Sequence, residues 1–216
     1  MIITCIGHAK FLIELENGMR IVTDPYDATC GYPVTGTCAD VVLVSHGHHD
    51  HNAVETISGV QRVIDAAGSY DLGEGVTVLA VEADHDDAGG SKRGKNLLFR
   101  IEAEGLRVMH MGDLGHVPTQ EQLATLGSAD VLMIPVGGFF TIDAPTAVRV
   151  AELLKARIVL PMHYKTSANA DWPIAGVEAY TALCAEPVEF LDLLRVAQGD
   201  LACQPAAAVL KPQSLK

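Results

Sequence analysis

The chain has 216 residues, 49% hydrophobic, 19% charged and only 5% aromatic. That composition excludes a disordered polymer and calls for a mostly aliphatic core. A net charge of -12 repels phosphate backbones and argues against nucleic acid as a partner. No apolar run reaches membrane-spanning length, and Met1–Ile6 is too short for a secretory leader. The five cysteines are scattered, with no Cys-x-x-Cys pair. They read as reduced thiols in a cytoplasmic protein, with no bond expected between Cys30 and Cys38.

In chain order, residues 2–24 predict three strands, with Asn17-Gly18 turning Phe11–Glu14 back onto Met19–Thr23. Residues 25–38, rich in Pro, Gly, Thr and Cys, predict a loop. Val41–Val44 is continuously apolar, as in a strand covered on both faces. A histidine-dense turn follows, then a short helix near 52–58 and strands at Val60–Ile64 and Val76–Val81. Leu97–Glu102 and Leu106–Met111 predict a hairpin around Glu104-Gly105. Thr119 caps a helix over 119–127, and Val131–Pro135 is another buried strand. Asp143 caps a helix running to about Ala156, with Pro145 in its first turn. Ile158–Leu160 predicts a strand, 176–184 a last helix, and the tail from Pro205 carries no clear signal.

One pattern recurs. A hairpin ending in Asp24 precedes Ala39-Asp40-Val41-Val42, and a hairpin ending in Asp113 precedes Ala129-Asp130-Val131-Leu132. Two such halves predict two similar sheets packed face to face with helices outside, in one domain over 1–216.

The chemistry concentrates in His46-Gly47-His48-His49-Asp50-His51, directly after a buried strand. Residues two apart in an extended turn point the same way, so His46 and His48 can grip one cation. Asp50 and His51 follow the bend and can face a second one. Two metals about 3.5–4 Å apart can share one hydroxide. Imidazole with carboxylate suits zinc, and also manganese or iron. His85, Asp113 and His163 also follow predicted strands.

Gly7-His8, Thr23-Asp24-Pro25, Ser45–His51, His85, Arg93-Gly94-Lys95-Asn96, His110–Asp113, Pro135–Gly138 and Pro161–Tyr164 together resemble the metallo-β-lactamase superfamily. The likeness is to its short, single-domain metal-dependent hydrolase branch, which is similar to the ascorbate-6-phosphate lactonases. The resemblance implies an α/β fold, an αββα sandwich of two mixed sheets with helices on the outer faces. It implies one or two divalent ions. His46, His48 and His85 match the ligands of one, Asp50, His51 and His163 those of the other, and Asp113 the bridging carboxylate. Asp50 would also orient the attacking water.

Around this set, His8 is expected to line the site. Asp24 is expected to fix the tautomer of a ligand histidine, with a cap for the following turn as the other reading. His116 is expected to protonate a leaving group or stabilise an oxyanion. In the basic run 91–96, Arg93 offers a two-pronged clamp for an anion. The resemblance adds Asn96 as a substrate contact, while Lys92 and Lys95 read as solvated. Tyr26 and Tyr32 are expected over the substrate, with Gly137-Gly138 and Lys165 at its flank. The expected activity is hydrolysis of a small anionic ester, lactone or phosphodiester. An iron redox or oxygenase role and a non-catalytic metal-binding role are the alternatives.

Overall fold

The structure is a computed structural model that describes residues 1–215. Two six-stranded sheets stack face to face. The first has the spatial order Leu194–Arg195, Ile2–Gly7, Lys10–Glu14, Arg20–Thr23, Val41–Leu43 and Arg62–Ile64. The second has the order Gly68–Gly73, Val76–Asp84, Lys95–Ala103, Leu106–His110, Val131–Pro135 and Ile158–Met162. Side chains alternate between faces along a strand, so each strand feeds two layers. Ile3, Phe11, Ile13, Ile21 and Leu43 meet Val78, Phe99, Ile101, Val108, Met133 and Leu160 between the sheets.

Residues of opposite parity on the second sheet, among them Leu98, Met109, Leu132 and Ile134, pack with Ala147, Val150 and Leu154. These belong to the helical layer of Gln120–Leu126, Ala144–Leu153 and Glu178–Thr181. Thr119 makes the expected capping box, and Asp143 accepts from the Thr146 N–H at 3.0 Å. The outer face of the first sheet is covered differently from expectation. Val22, Val42 and Val44 lie under Ala39, Val54, Ile57 and Val60 rather than under a helix. The helix expected near 52–58 is one 3-10 turn, Val54–Thr56, because Ile57–Ser58 is drawn into pairing with Thr37–Cys38. The helix expected over 176–184 shrinks to Glu178–Thr181.

The internal repeat is present in the pairing. Each half has three consecutive antiparallel strands followed by two parallel ones, and Gly68–Gly73 adds an antiparallel edge strand to the second. The Arg20 N–H donates to Asp40 Oδ2 at 2.8 Å, and the Arg107 N–H donates to Asp130 Oδ2 at 2.8 Å. That register corrects one expectation. Asp24 N–H donates to Leu43 O at 2.8 Å just as Met111 N–H donates to Met133 O at 3.0 Å. Asp24 therefore corresponds to Met111, and Asp113 lies two residues further along. No described helix is long and apolar enough to cross a membrane.

Candidate metal centre

The site lies where strands of both sheets end. His8 follows Ile2–Gly7, Asp24 follows Arg20–Thr23, and the histidine turn follows Val41–Leu43. From the second sheet, His85 follows Val76–Asp84, Asp113 comes after Leu106–His110, and His163 follows Ile158–Met162. His8, Asp24 and His163 take left-handed backbone with φ of 55, 39 and 51. Non-glycine residues rarely adopt that conformation, and holding them there costs on the order of 1 kcal/mol each. The strain turns each side chain out of its strand and into the cluster.

The histidines and aspartates read as ligands converge. Asp113 sits centrally: its Oδ2 lies 3.2 Å from His85 Nε2 and 3.2 Å from His163 Nε2, and its Oδ1 lies 3.3 Å from His51 Nε2. His46 Nε2 is 2.9 Å from His48 Nδ1, and Asp50 Oδ2 is 3.6 Å from His51 Nε2. Asp24 is fully buried. It accepts from the Ser45 N–H and Oγ–H at 2.7 Å each and from His51 Nδ1 at 2.9 Å. It therefore fixes the His51 tautomer with Nε2 facing Asp113. Ser45 Oγ in turn lies 2.9 Å from His46 Nδ1.

The electrostatics suit a cation. Burial pushes His46 down to about 3, and it also lowers His48. Burial works against charge on His51 too, but Asp113 and Asp24 outweigh it and hold that ring well above its ordinary value. Burial alone would raise Asp113, yet His163 and His51 keep it well below the usual carboxylate range. Asp50 is lowered likewise, burial being overcome by His8 and His51. His51 Nε2 and Asp113 Oδ1 are buried without a hydrogen-bond partner among the described residues, which is costly unless something else satisfies them. Donor atoms form three close groups: His46, His48 and His85; His46, His51 and Asp113; and His8, Asp50, His51 and His163. Such a mixture of neutral imidazoles and anionic carboxylates is able to bind metal.

The cluster floors a cleft of about 420 Å³ walled by Arg93, Phe140, Asp171, Trp172 and Pro173. Sequence reasoning does not single out these last four. Trp172 is the only tryptophan, and that rarity is the one available signal. Tyr26 and Tyr32, expected over the substrate, are instead buried with Cys30 and pack against Trp172 from below the cleft.

Two expected roles are corrected. The ring of His116 is spent on backbone: Nε2 accepts from the Asp84 N–H at 3.1 Å, so Nδ1 carries the proton that Val117 O receives at 2.8 Å. It does not line the cleft and is a latch, not a proton donor. Asn96 is fully buried. Its Nδ2 donates to Met111 O and its Oδ1 accepts from the Asp113 N–H, both at 2.9 Å. It positions Asp113 and does not face a substrate. Gly112 (φ 50) fits between them because a Cβ there would fall 2.2 Å from Asn96 Oδ1. His110 also works on backbone, with Nε2 2.9 Å from Ala9 O. Lys92 and Lys95 pair with Asp87 and Asp84. Arg93 does line the cleft, with its guanidinium 5.7 Å above the Phe140 ring.

A two-sheet sandwich with an aspartate-histidine centre at its strand ends is the architecture of metal-dependent hydrolases in the metallo-β-lactamase class. The Beta-lactamase superfamily domain model matches residues 2–163. A UPF0173 metal-dependent hydrolase from Thermococcus onnurineus is 31% identical, over 96% of this chain and 95% of its own. One from Carboxydothermus hydrogenoformans is 31% identical, over 82% and 88%. A solved metallo-beta-lactamase superfamily structure from Thermotoga maritima is 36% identical, covers 97% of both chains and has a TM-score of 0.77. The chain belongs to the metallo-β-lactamase superfamily, in its UPF0173 family of metal-dependent hydrolases.

Proposed function

We propose that the protein hydrolyses a small anionic ester, lactone or phosphodiester in the cytoplasm, a location its free thiols support. His46, His48 and His85 would hold one divalent ion and Asp50, His51 and His163 a second, with Asp113 between them. Zinc suits this donor set best, ahead of manganese or iron. When bound, such ions polarise the electrophile and make water a nucleophile at neutral pH. Asp50, at the cleft floor, accepts a hydrogen bond from the attacking water and orients it. Phe140 and Trp172 exclude bulk water from the walls.

The observation that carries the anionic substrate is Arg93. Among the described residues no carboxylate pairs with its guanidinium, although Asp86 lies close by. Asp86 is instead occupied by four backbone N–H groups, from Ala88, Gly90, Lys92 and Arg93, at 2.8–2.9 Å. An acidic chain repels anions at long range, so a local guanidinium is what admits one. Asp171 shares the wall and directs the anion to the Arg93 end.

Chromogenic neutral and anionic substrates of each ester class test this. Asp50→Ala should abolish turnover. Arg93→Ala should raise KM about tenfold for anionic substrates, roughly 1.4 kcal/mol, with a smaller change in kcat. Equal losses on neutral and anionic substrates, accompanied by a lower Tm, would place Arg93 in loop stability instead.

A further inference from the structure

Sequence alone gives His8 no more than a place in the lining of the site. Its surroundings ask for more. The residue is 3% exposed, and neither ring nitrogen makes a hydrogen bond among the described residues. A buried imidazole with both nitrogens unsatisfied is destabilising unless something not a hydrogen-bond partner engages it. Its Nε2 lies 3.3 Å from Asp50 Oδ2, in poor angular geometry for a hydrogen bond. Its ring sits 4.2 Å from that of His163. The donor atoms of His8, Asp50, His51 and His163 all lie within 4.8 Å of one another.

Two comparisons sharpen the point. His46 and His51 have Nδ1 anchored by Ser45 and Asp24. His85 and His163 have Nδ1 unanchored, and so has His8. His8 therefore shares the setting of two residues read as ligands. Topology agrees, because His8 and His85 both follow the first of the three antiparallel strands that the two halves share. Four donors about 2.1 Å from a central ion stand about 3.4 Å apart in a tetrahedron. The separations of Asp50 Oδ2 from His8 Nε2 and from His51 Nε2, 3.3 and 3.6 Å, match that spacing.

We propose that His8 is a direct ligand of a divalent cation, completing a four-donor site with Asp50, His51 and His163. The proposal rests on the metal-centre reading above and extends it. It divides the centre into unlike parts. Beside the shared Asp113, the group of His46, His48 and His85 supplies three protein donors and the His8 group four, so the first ion keeps more room for water and substrate than the second. Three of the second group's donors come from the first half of the chain and one from the second. Its cation therefore also ties the two halves together.

The test is zinc stoichiometry by mass spectrometry after dialysis against graded chelator, for wild type, His8→Ala and His8→Gln. Wild type should retain two zinc ions per chain. Both variants should retain one at chelator concentrations where wild type keeps two, the second ion binding at least tenfold more weakly. The cobalt-substituted variants should show an altered visible band, and zinc should raise their Tm less than it raises that of wild type. Glutamine guards against the alternative. If His8 only hydrogen-bonds Asp50, the Gln amide preserves that bond, and His8→Gln will keep both ions and the wild-type band; that result overturns the proposal. If alanine disrupts folding, circular dichroism of the zinc-free protein will show it, and the glutamine variant decides alone. Wild type that takes up fewer than two ions would instead overturn the two-ion reading underneath, and His8 with it.

Discussion

The two halves of the molecule share a scaffold and differ at its ends. The Arg20 N–H donates to the Asp40 carboxylate in the first half as the Arg107 N–H donates to that of Asp130 in the second. Thr23 and His110 hold equivalent positions, and both reach Ala9 O, Thr23 Oγ–H at 3.0 Å and His110 Nε2 at 2.9 Å. Beyond those positions the halves part. The first half places its carboxylate at once, as Asp24, and buries it beneath His46 and His51. The second runs two residues further, through Met111 and Gly112, and delivers Asp113 into the centre itself. The first half has a tight turn after His8, whereas the second has a long loop after His85 folded around Asp86. The repeated part builds the core, and the unrepeated strand ends carry the chemistry.

If that division is right, the two carboxylates differ in kind. Asp113 lies 3.2–3.3 Å from three imidazoles. Asp113→Asn should cost about 10³-fold or more in kcat/KM, roughly 4 kcal/mol, and release metal on dialysis. Among the described residues, the Asp24 carboxylate reaches Ser45, His51 and, at 3.8 Å, His110. Asp24→Asn should weaken metal binding about 10–100-fold, as the loss of an orienting partner does. Chelator titration and steady-state kinetics on both variants check the contrast. Equal losses would mean that the halves use their aspartates alike.

A smaller effect follows from where the buried histidines sit. In the first half, burial pushes His8 and His46 down from 6.5 to about 4 and about 3. Unfolded, both take up protons near 6.5, so between that pH and about 4 the unfolded chain binds more protons. Their contribution to stability is then present at neutral pH and lost on acidification. His51 works in the opposite sense. Its raised pKa gives a contribution present below 6.5 and lost only as the pH climbs through its folded value. Asp24, Asp50 and Asp113 are lowered, so theirs is lost only below the ordinary 3.8. His48 and His110 are lowered as well, so four rings lose their contribution on acidification below 6.5, where that of His51 is already complete. In chelator-treated protein the Tm should fall there by on the order of 10 °C. A Tm that stays level across that window would mean that burial does not keep these rings neutral in the folded chain.

Much of this was legible in the sequence because strand-end chemistry is local. Val41–Val44 announces a buried strand, and the histidines that follow it have few places to go. The paired aspartate patterns reveal the repeat, though not its register, because two extra residues before Asp113 are invisible until strands are paired. What failed depended on contacts distant in sequence. Leu194–Arg195 is two residues long and exists because it pairs with Ile2–Ile3. Gly68–Gly73, by contrast, pairs across a short turn with Val76–Asp84 and is hidden because its polar, half-exposed residues carry no apolar run. Asn96 and His116 lie next to residues of the site, but spacing does not reveal which way a side chain turns.

His116 gives the smallest expected effect and the finest test of the comparison. Its place is in the second half's extension, three residues past Asp113, where the first half has no counterpart. The ring joins that extension to the end of strand Val76–Asp84 by accepting from Asp84 N–H and donating to Val117 O. A glutamine cannot span both partners at those positions, so His116→Gln should lose about one hydrogen bond's worth of stability, roughly 1 kcal/mol. For a chain of this size that is a fall in Tm of about 2–4 °C. A latch acts on the loop and not on the leaving group. The ratio of rates for good and poor leaving groups should therefore be the same in variant and wild type, and the pH–rate profile should keep its shape. A general acid would behave otherwise: its loss would slow substrates with poor leaving groups about 10²-fold or more and spare activated ones. Comparing a nitrophenyl ester with an alkyl ester, alongside a melting curve, separates the two. Selective loss on the alkyl ester would return His116 to the reacting atoms and show that the extension carries more chemistry than Asp113 alone.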